Sequence, residues 1–121
     1  MSTPAERAAV LRQLAMDQAR TARVNADRRH MPDGGADAFA RAGYWEQRTD
    51  DAFAVLDEAA TAWRVAGAAC QWADEDPDVI LLGQQRDAAE REYRRCRNLR
   101  DDVLDEIRVA SQPLPQHLYD L

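Results

Sequence analysis

Two adjacent rows of apolar residues in the middle of the chain constrain its fold most strongly. Between residues 49 and 74 apolar side chains recur at alternating spacings of three and four, which is the period of an α-helix. The first row, named the large-residue seam, comprises Phe53, Leu56, Ala60, Trp63, Gly67 and Cys70. The second row, named the alanine seam, comprises Ala52, Val55, Ala59, Ala62, Ala66, Ala69 and Ala73. Two seams form a face wider than a two-stranded coiled coil needs, so this helix is predicted to contact two neighbours.

Helix-start signals predict two further long helices. Thr3-Pro4-Ala5-Glu6 is a capping box with proline at the first helical position, and it predicts a helix that ends near Arg29. Asp76-Pro77 predicts the start of a last helix that ends near Ala110. The apolar residues of the first helix, named the N-terminal stripe, are Ala8, Leu11, Leu14, Ala15, Ala19, Ala22 and Ala26. This stripe is mostly alanine, so it permits close approach of another helix but buries little area per turn.

The segment before the double seam is ambiguous. A short helix is expected to begin near residues 35–37 and to include Phe39, whereas Gly43 weakens a continuous helix and Thr49 could cap a new one. Whether residues 36–74 form one helix or two is left open. The predicted fold is therefore all-α, a bundle of three long antiparallel helices plus one short helix. Homodimerisation is expected to complete the core, because the N-terminal stripe is thin.

The length of 121 residues predicts a single domain. Residues 1–110 are expected to form the helical bundle, and residues 111–121 a proline-containing C-terminal tail. We expect a cytoplasmic protein, because the first thirty residues lack the apolar region of a secretory signal. Cys70 and Cys96 lack metal-ligand spacing and are expected to be reduced, small buried residues.

The charge of the chain is unevenly distributed. The formal charge is −6, and all 16 basic residues are Arg, which excludes any chemistry that needs a lysine. Residues 1–31 hold six Arg and three acids (+3), residues 32–82 three Arg and eleven acids (−8), and residues 83–121 seven Arg and eight acids (−1). A net negative charge makes general binding to nucleic acid unlikely, and no membrane association is expected.

Short connections between long helices predict antiparallel neighbours. A turn at about residue 77 makes the numbers of facing residues sum to roughly 154. This register pairs Asp57 and Glu58 with Arg94, Arg95 and Arg97. It also brings Asp50 and Asp51 close to the acidic residues Asp101, Asp102 and Asp105.

The preferred hypothesis is a small, acidic, non-catalytic protein that binds another protein. In size, charge and helix content the chain is similar to phage and plasmid accessory proteins, which include inhibitors of nucleic-acid-binding proteins. An adaptor, assembly or inhibitor role on a partner with a basic surface is expected, with acidic residues promoting association. Tyr44 and Trp45 fall outside the seams and are predicted as interface residues, with packing against the first helix as the alternative. The predicted partner-binding residues are Tyr44, Trp45, Asp50, Asp51, Asp57 and Glu58.

Two alternatives remain open at this point. Four carboxylates on the last helix could bind Mg²⁺ in an enzyme resembling the all-α nucleotide pyrophosphohydrolases; they are Asp101, Asp102, Asp105 and Glu106. The usual acidic pattern of that family, paired Glu-x-x-Glu and Glu-x-x-Asp helices, is not reproduced here, and only Asp102-Val-Leu-Asp105 resembles a fragment of it. An arginine row could instead bind nucleic acid; it comprises Arg91, Arg94, Arg95, Arg97 and Arg100. The arginines of this row can alternatively be explained as a salt-bridged surface, with three ion pairs at i,i+4 spacing: Asp87–Arg91, Glu90–Arg94 and Arg97–Asp101. No cofactor and no catalytic residue are expected for the preferred hypothesis.

Overall fold

The computed structural model describes residues 2–35 and 37–112, which form three helices and no strand. Helix α1 spans Pro4–Arg29, α2 spans Ala38–Ala68 and α3 spans Pro77–Ser111. The predicted all-α class and helical packing are confirmed. No helix within the described ranges combines the length and the apolar character needed to cross a membrane. The predicted tail lies outside the described residues from position 113 onward.

The helix starts follow the predicted capping chemistry. The side chain of Thr3 accepts a hydrogen bond from the backbone N–H of Glu6, and the side chain of Glu6 accepts one from the backbone N–H of Thr3. At the start of α3, a carboxylate oxygen of Asp76 accepts hydrogen bonds from the next helical amides, and Pro77 is the first helical residue. These local contacts satisfy backbone donors that have no partner within the helix.

Helix α2 is continuous across the ambiguous segment. A Cβ added at Gly43 would meet no atom within 4 Å, so this glycine marks neither a close approach nor a break. The hydroxyl of Thr49 donates to the carbonyl of Trp45 at 2.7 Å, one turn back, instead of capping a new helix. The separate short helix predicted here is therefore not among the helices of the described residues.

Helices α2 and α3 pack antiparallel along most of their length. The core contains Trp45, Ala52, Cys96 and Val103. Farther along α2, Leu56 and Trp63 of the large-residue seam and Ala59 and Ala66 of the alanine seam are half-buried. Trp63 lies against Gly83, where an added Cβ would be 3.1 Å from the indole nitrogen. Glycine at this position thus allows the indole to approach the α3 backbone closely.

The register of this pair corrects the predicted one. The ring of Phe53 contacts that of Tyr93 in a tilted arrangement with centroids 5.6 Å apart, whereas the predicted register places Phe53 opposite Asp101. The reason is the turn. Helix α2 ends at Ala68, so the chain reverses around residue 72 instead of residue 77. A shift of about two helical turns along α3 follows.

The shifted register breaks the predicted ion pairs of Asp57 and Glu58. Arg94 instead pairs with Glu90, and Arg95 pairs with Glu92 and Asp27. The predicted grouping of Asp50 and Asp51 with the α3 carboxylates is lost for the same reason.

Helix α1 joins the other two helices only at its C-terminal end. Every residue from 2 to 25 is exposed, and the one buried residue of the helix is Asp27. Leu11 is 65% exposed, whereas Asp27 is 3% exposed. The N-terminal stripe from Ala8 to Ala22 is therefore exposed, and no helix covers Val55, Ala62 and Ala69, the exposed part of the alanine seam.

Candidate functional site

A buried carboxylate lies where the three helices meet. The Tyr44 hydroxyl donates a short hydrogen bond to Asp27, and the Arg48 guanidinium donates to both carboxylate oxygens at 3.2 and 3.3 Å. Arg95 of α3 donates to the same carboxylate at 2.8 Å. Both arginines also contact Glu92, at 3.1 and 2.8 Å. We name these five residues the Asp27 cluster.

The charges within the Asp27 cluster balance. Burial raises the pKa of Asp27, but the hydrogen bonds from Tyr44, Arg95 and Arg48 outweigh burial and leave the pKa below its usual range. The Arg95 hydrogen bond likewise lowers the pKa of Glu92, against the opposing effect of burial. Burial and the Asp27 carboxylate raise the pKa of Tyr44 to about 12. At neutral pH the cluster therefore holds two carboxylates, two guanidiniums and a neutral phenol, an arrangement that stabilises structure and leaves no proton poised for transfer.

Tyr44 and Trp45 make contacts within the chain, with His30 at the end of α1. The Tyr44 ring stacks on His30, the C-cap of α1, with centroids 3.8 Å apart. Trp45 is fully buried, and its indole N–H donates to the His30 carbonyl at 2.7 Å. The structure thus supports the alternative that these rings pack against the first helix, and neither presents an exposed interface side chain.

The four predicted acidic residues of α2 are all exposed, and helical geometry divides them between two faces. Asp50 and Asp57 are seven residues apart and share one face. Asp51 and Glu58 have the same spacing on the other face, where they border Val55 of the alanine seam. The predicted set is therefore not one surface but two.

The first of these faces combines acidic and aromatic side chains. It comprises Phe39, Glu46, Asp50, Phe53 and Asp57, and we name it the aromatic–acidic face. Phe39 is 71% exposed and Phe53 is 55% exposed, although Phe53 also leans on Tyr93. None of its three carboxylates forms an ion pair with another side chain of the described ranges.

The structure does not bring the four carboxylates of the magnesium hypothesis together. Within the described ranges, no group of three or more potential metal ligands could hold an ion. Glu106 is bound instead by Arg41 through two hydrogen bonds of 2.7 Å. Asp101 accepts from Arg100 and Asp105 accepts from Arg108, while Asp102 is exposed on α3. Three of the four carboxylates thus bind separate arginines, and the shifted register leaves Asp50 and Asp51 away from them.

The predicted arginine row is largely used within the chain. Arg94 pairs with Glu90 at 2.8 Å, which confirms one of the three expected i,i+4 pairs. Arg100 contacts its neighbour Asp101 in place of Arg97, and Arg97 lies over the Tyr93 ring. Arg91 is exposed. Arg95 belongs to the Asp27 cluster. Most arginines of the row therefore contact side chains of their own chain and do not form a continuous phosphate-binding strip.

The cysteines match their predicted role in part. Cys96 is fully buried, and burial raises the pKa of its thiol to about 11, so it stays protonated at neutral pH. Cys70 is half-buried at the end of α2, with its sulfur 3.6 Å from a carboxylate oxygen of Asp76. Both are free thiols.

Sequence reasoning missed the Asp27 cluster and the Arg41–Glu106 pair. Asp27 is a lone acid among arginines near the end of a helix, and its partners lie 17 to 68 residues away. The sequence carries no periodic signal that would link residues so far apart.

No known protein family has a model that matches this chain, and neither a curated protein nor a solved structure is significantly similar to it.

Proposed function

We propose that this chain is a non-catalytic protein-binding protein of the adaptor, assembly or inhibitor type, and that its partner has a basic surface. The observation that carries the proposal is the aromatic–acidic face of α2. Two exposed phenylalanines lie there beside three carboxylates that have no ion-pair partner in the described ranges.

The two kinds of side chain on this face have complementary roles in recognition. Aromatic rings are enriched in protein interfaces because they bury a large area with little loss of conformational freedom. Carboxylates raise the rate of encounter with a basic protein and select against acidic ones. Glu46, Asp50 and Asp57 are available for this purpose, unlike Asp27, Glu92 and Glu106, which are bound inside the chain.

We further propose that the protein works as a homodimer. The support is α1, an amphipathic helix whose residues 4–25 are exposed throughout. Most helical stability in proteins comes from packing of an apolar face, and residues 4–25 have no such packing within the described ranges. A second copy supplies that packing and completes the core that the sequence predicts.

Affinity capture followed by reconstitution tests the proposed partner. The wild-type chain is used to retain proteins from the native host, and a retained protein is then purified and its binding measured by calorimetry. The Asp50→Arg/Asp57→Arg variant is expected to weaken that binding by at least about tenfold, because two attractive charges become repulsive. Binding of the wild type is expected to weaken as salt is added.

The matched control is Asp102→Arg/Asp105→Arg, which makes the same change of charge on the exposed surface of α3. This variant is expected to bind like the wild type. Equal binding by all three proteins, or a partner whose contact surface is acidic, would contradict the proposed role of the aromatic–acidic face.

A further inference from the structure

The rotation of α1 about its own axis is set by the Asp27 cluster. A groove of about 390 Å³ separates α1 from α3, and Glu92 and Arg95 line its α3 side. The α1 residues that line it are Arg20, Arg23, Val24, Asp27, Arg28 and Met31. The polar side of α1 therefore faces the α2–α3 pair.

The N-terminal stripe faces the opposite way. Successive helical residues are about 100° apart, which places Leu11 about 160° and Leu14 about 140° from Asp27 around the axis. Closing α1 onto its own α2–α3 pair would thus bury Ala9 and Met16 instead of the stripe. The leucines of the stripe thus have no surface to pack on in the described part of their own chain.

The alanine seam is uncovered along one edge: Ala52 is buried and Ala59 and Ala66 are half-buried, whereas the other edge is exposed. Val55 is 58% exposed, and Ala62 and Ala69 are exposed as well. Arg23 of α1 reaches only the first part of the seam, where it lines a small groove with Ala52 and Val55. Beyond this point α1 does not pack on α2, so the sequence's prediction of two neighbours for α2 is met on one side only.

We propose that the N-terminal stripe packs on the alanine seam of a second copy of this chain, in a reciprocal dimer. The inference rests on the dimer of the proposed function and names the surfaces that form it. Charge complementarity selects this occupant. Arg7 and Arg12 border the stripe on its two sides, whereas Asp51 and Glu58 border the seam. Both surfaces carry small side chains that permit close approach of the helices.

Pairing of the two stripes with each other is disfavoured by the same charges. An antiparallel α1–α1 contact places the arginines of one helix next to those of the other, and the first 31 residues carry +3. In the reciprocal arrangement each α1 lies between its own α2–α3 pair and that of the second copy. The polar side of α1 then contacts its own chain, and the apolar side contacts the other.

Charge exchange between copies tests the arrangement. Molecular mass is measured by sedimentation over a range of concentrations for Arg7→Glu/Arg12→Glu and for Asp51→Arg/Glu58→Arg. Each variant alone is expected to dimerise at least about tenfold more weakly than the wild type, because both reciprocal contacts become repulsive. An equimolar mixture is expected to form a heterodimer, because each α1 then meets a seam of opposite charge.

Asp50→Arg/Asp57→Arg serves as the charge-matched control, and it is expected to dimerise like the wild type because those residues lie on the other face of α2. Dimers that persist unchanged in the two variants, or a mixture that stays monomeric, would overturn the reciprocal arrangement while leaving a dimer in place. A wild-type chain that is monomeric at every concentration would overturn the dimer as well. Neither result bears on binding through the aromatic–acidic face, which calorimetry measures separately.

Discussion

The two ends of α1 differ in how they relate to the rest of the molecule. Near its C-terminus a charged residue is buried and bound by side chains from both other helices. Toward its N-terminus, the apolar side chains of Val10, Leu11 and Leu14 are exposed. A helix that would ordinarily be held by its apolar side is here held by its one buried carboxylate.

The side of a helix that is apolar and the side by which it docks can therefore differ. Burying a carboxylate is unfavourable unless hydrogen bonds and opposite charges offset the loss of water, and Asp27 has three such donors. The apolar stripe is thereby left for another molecule. The attached C-terminal end fixes the rotation of α1 about its axis, and the exposed N-terminal part is left to bind a second copy in the proposed dimer.

Removing the buried carboxylate is expected to have the largest effect on stability. Asp27→Ala leaves two guanidiniums and a phenol without their shared acceptor, at a cost of about 3 kcal/mol in the free energy of unfolding. Urea denaturation measures the change. Asp17→Ala is the control on the same helix, where the residue is exposed, and it should shift the free energy by less than about 0.5 kcal/mol. Similar losses for both substitutions would remove the distinction between the two ends.

Acid is expected to produce part of the same loss. The pKa of Asp27 is lower in the folded chain than in the unfolded chain, so its contribution is present above the unfolded pKa and disappears as the pH falls through the folded one. Wild-type stability should therefore decline below about pH 4. The decline should be smaller in Asp27→Ala. Parallel acid profiles for the two proteins would show that other carboxylates control acid unfolding.

Removing the phenol hydroxyl is expected to cost less. Tyr44→Phe keeps the ring on His30 but removes one donor to Asp27, which corresponds to about 1 kcal/mol. Because the folded pKa of Tyr44 is raised to about 12, its contribution is complete below the unfolded pKa and is lost as the pH rises through the folded one. Tyrosinate absorbance and stability between about pH 10 and 12 should thus differ between wild type and variant. Overlapping stability profiles would show that the Tyr44 hydroxyl does not contribute to the stability of the Asp27 cluster.

The smallest change is expected at the exposed end. In dilute solution, where the chain is monomeric, Leu14→Ala should change the free energy of unfolding by less than about 0.5 kcal/mol, because the side chain is exposed. Hydrogen exchange should also show little protection of the amides of residues 4–19 compared with those of α2. A loss of 2 kcal/mol or more, the usual cost of a core leucine, would mean that the stripe is buried within one chain.

Local chemistry made the starts of α1 and α3 predictable from the sequence. Thr3 with Glu6, and Asp76 with Pro77, act on backbone groups within one turn, so their outcome does not depend on the rest of the fold. Of the two possibilities left open at Thr49, the start of a new helix is not realised, because a hydroxyl inside a helix can also bond to the preceding turn.

Long-range geometry was not predictable in the same way. The register of α2 and α3 depends on where α2 ends, and Ala68 carries no stop signal. The position of α1 depends on Asp27 meeting Arg95, 68 residues later, and no spacing rule connects such residues. The acidic residues of α2 were identified correctly as exposed, but their division between two faces required the single helix that the sequence left undecided.

The attachment of α1 at one end has a mechanical consequence. From Asp27 to Thr3 the helix extends about 36 Å as a rigid rod. A tilt of about ten degrees at the attached end displaces Thr3 by about 6 Å, more than the pitch of one helical turn. Small adjustments among Tyr44, Arg48 and Arg95 therefore become large displacements at the far end. The outer half of α1 can reach a second molecule over a wide range of approach directions before the two surfaces come into register.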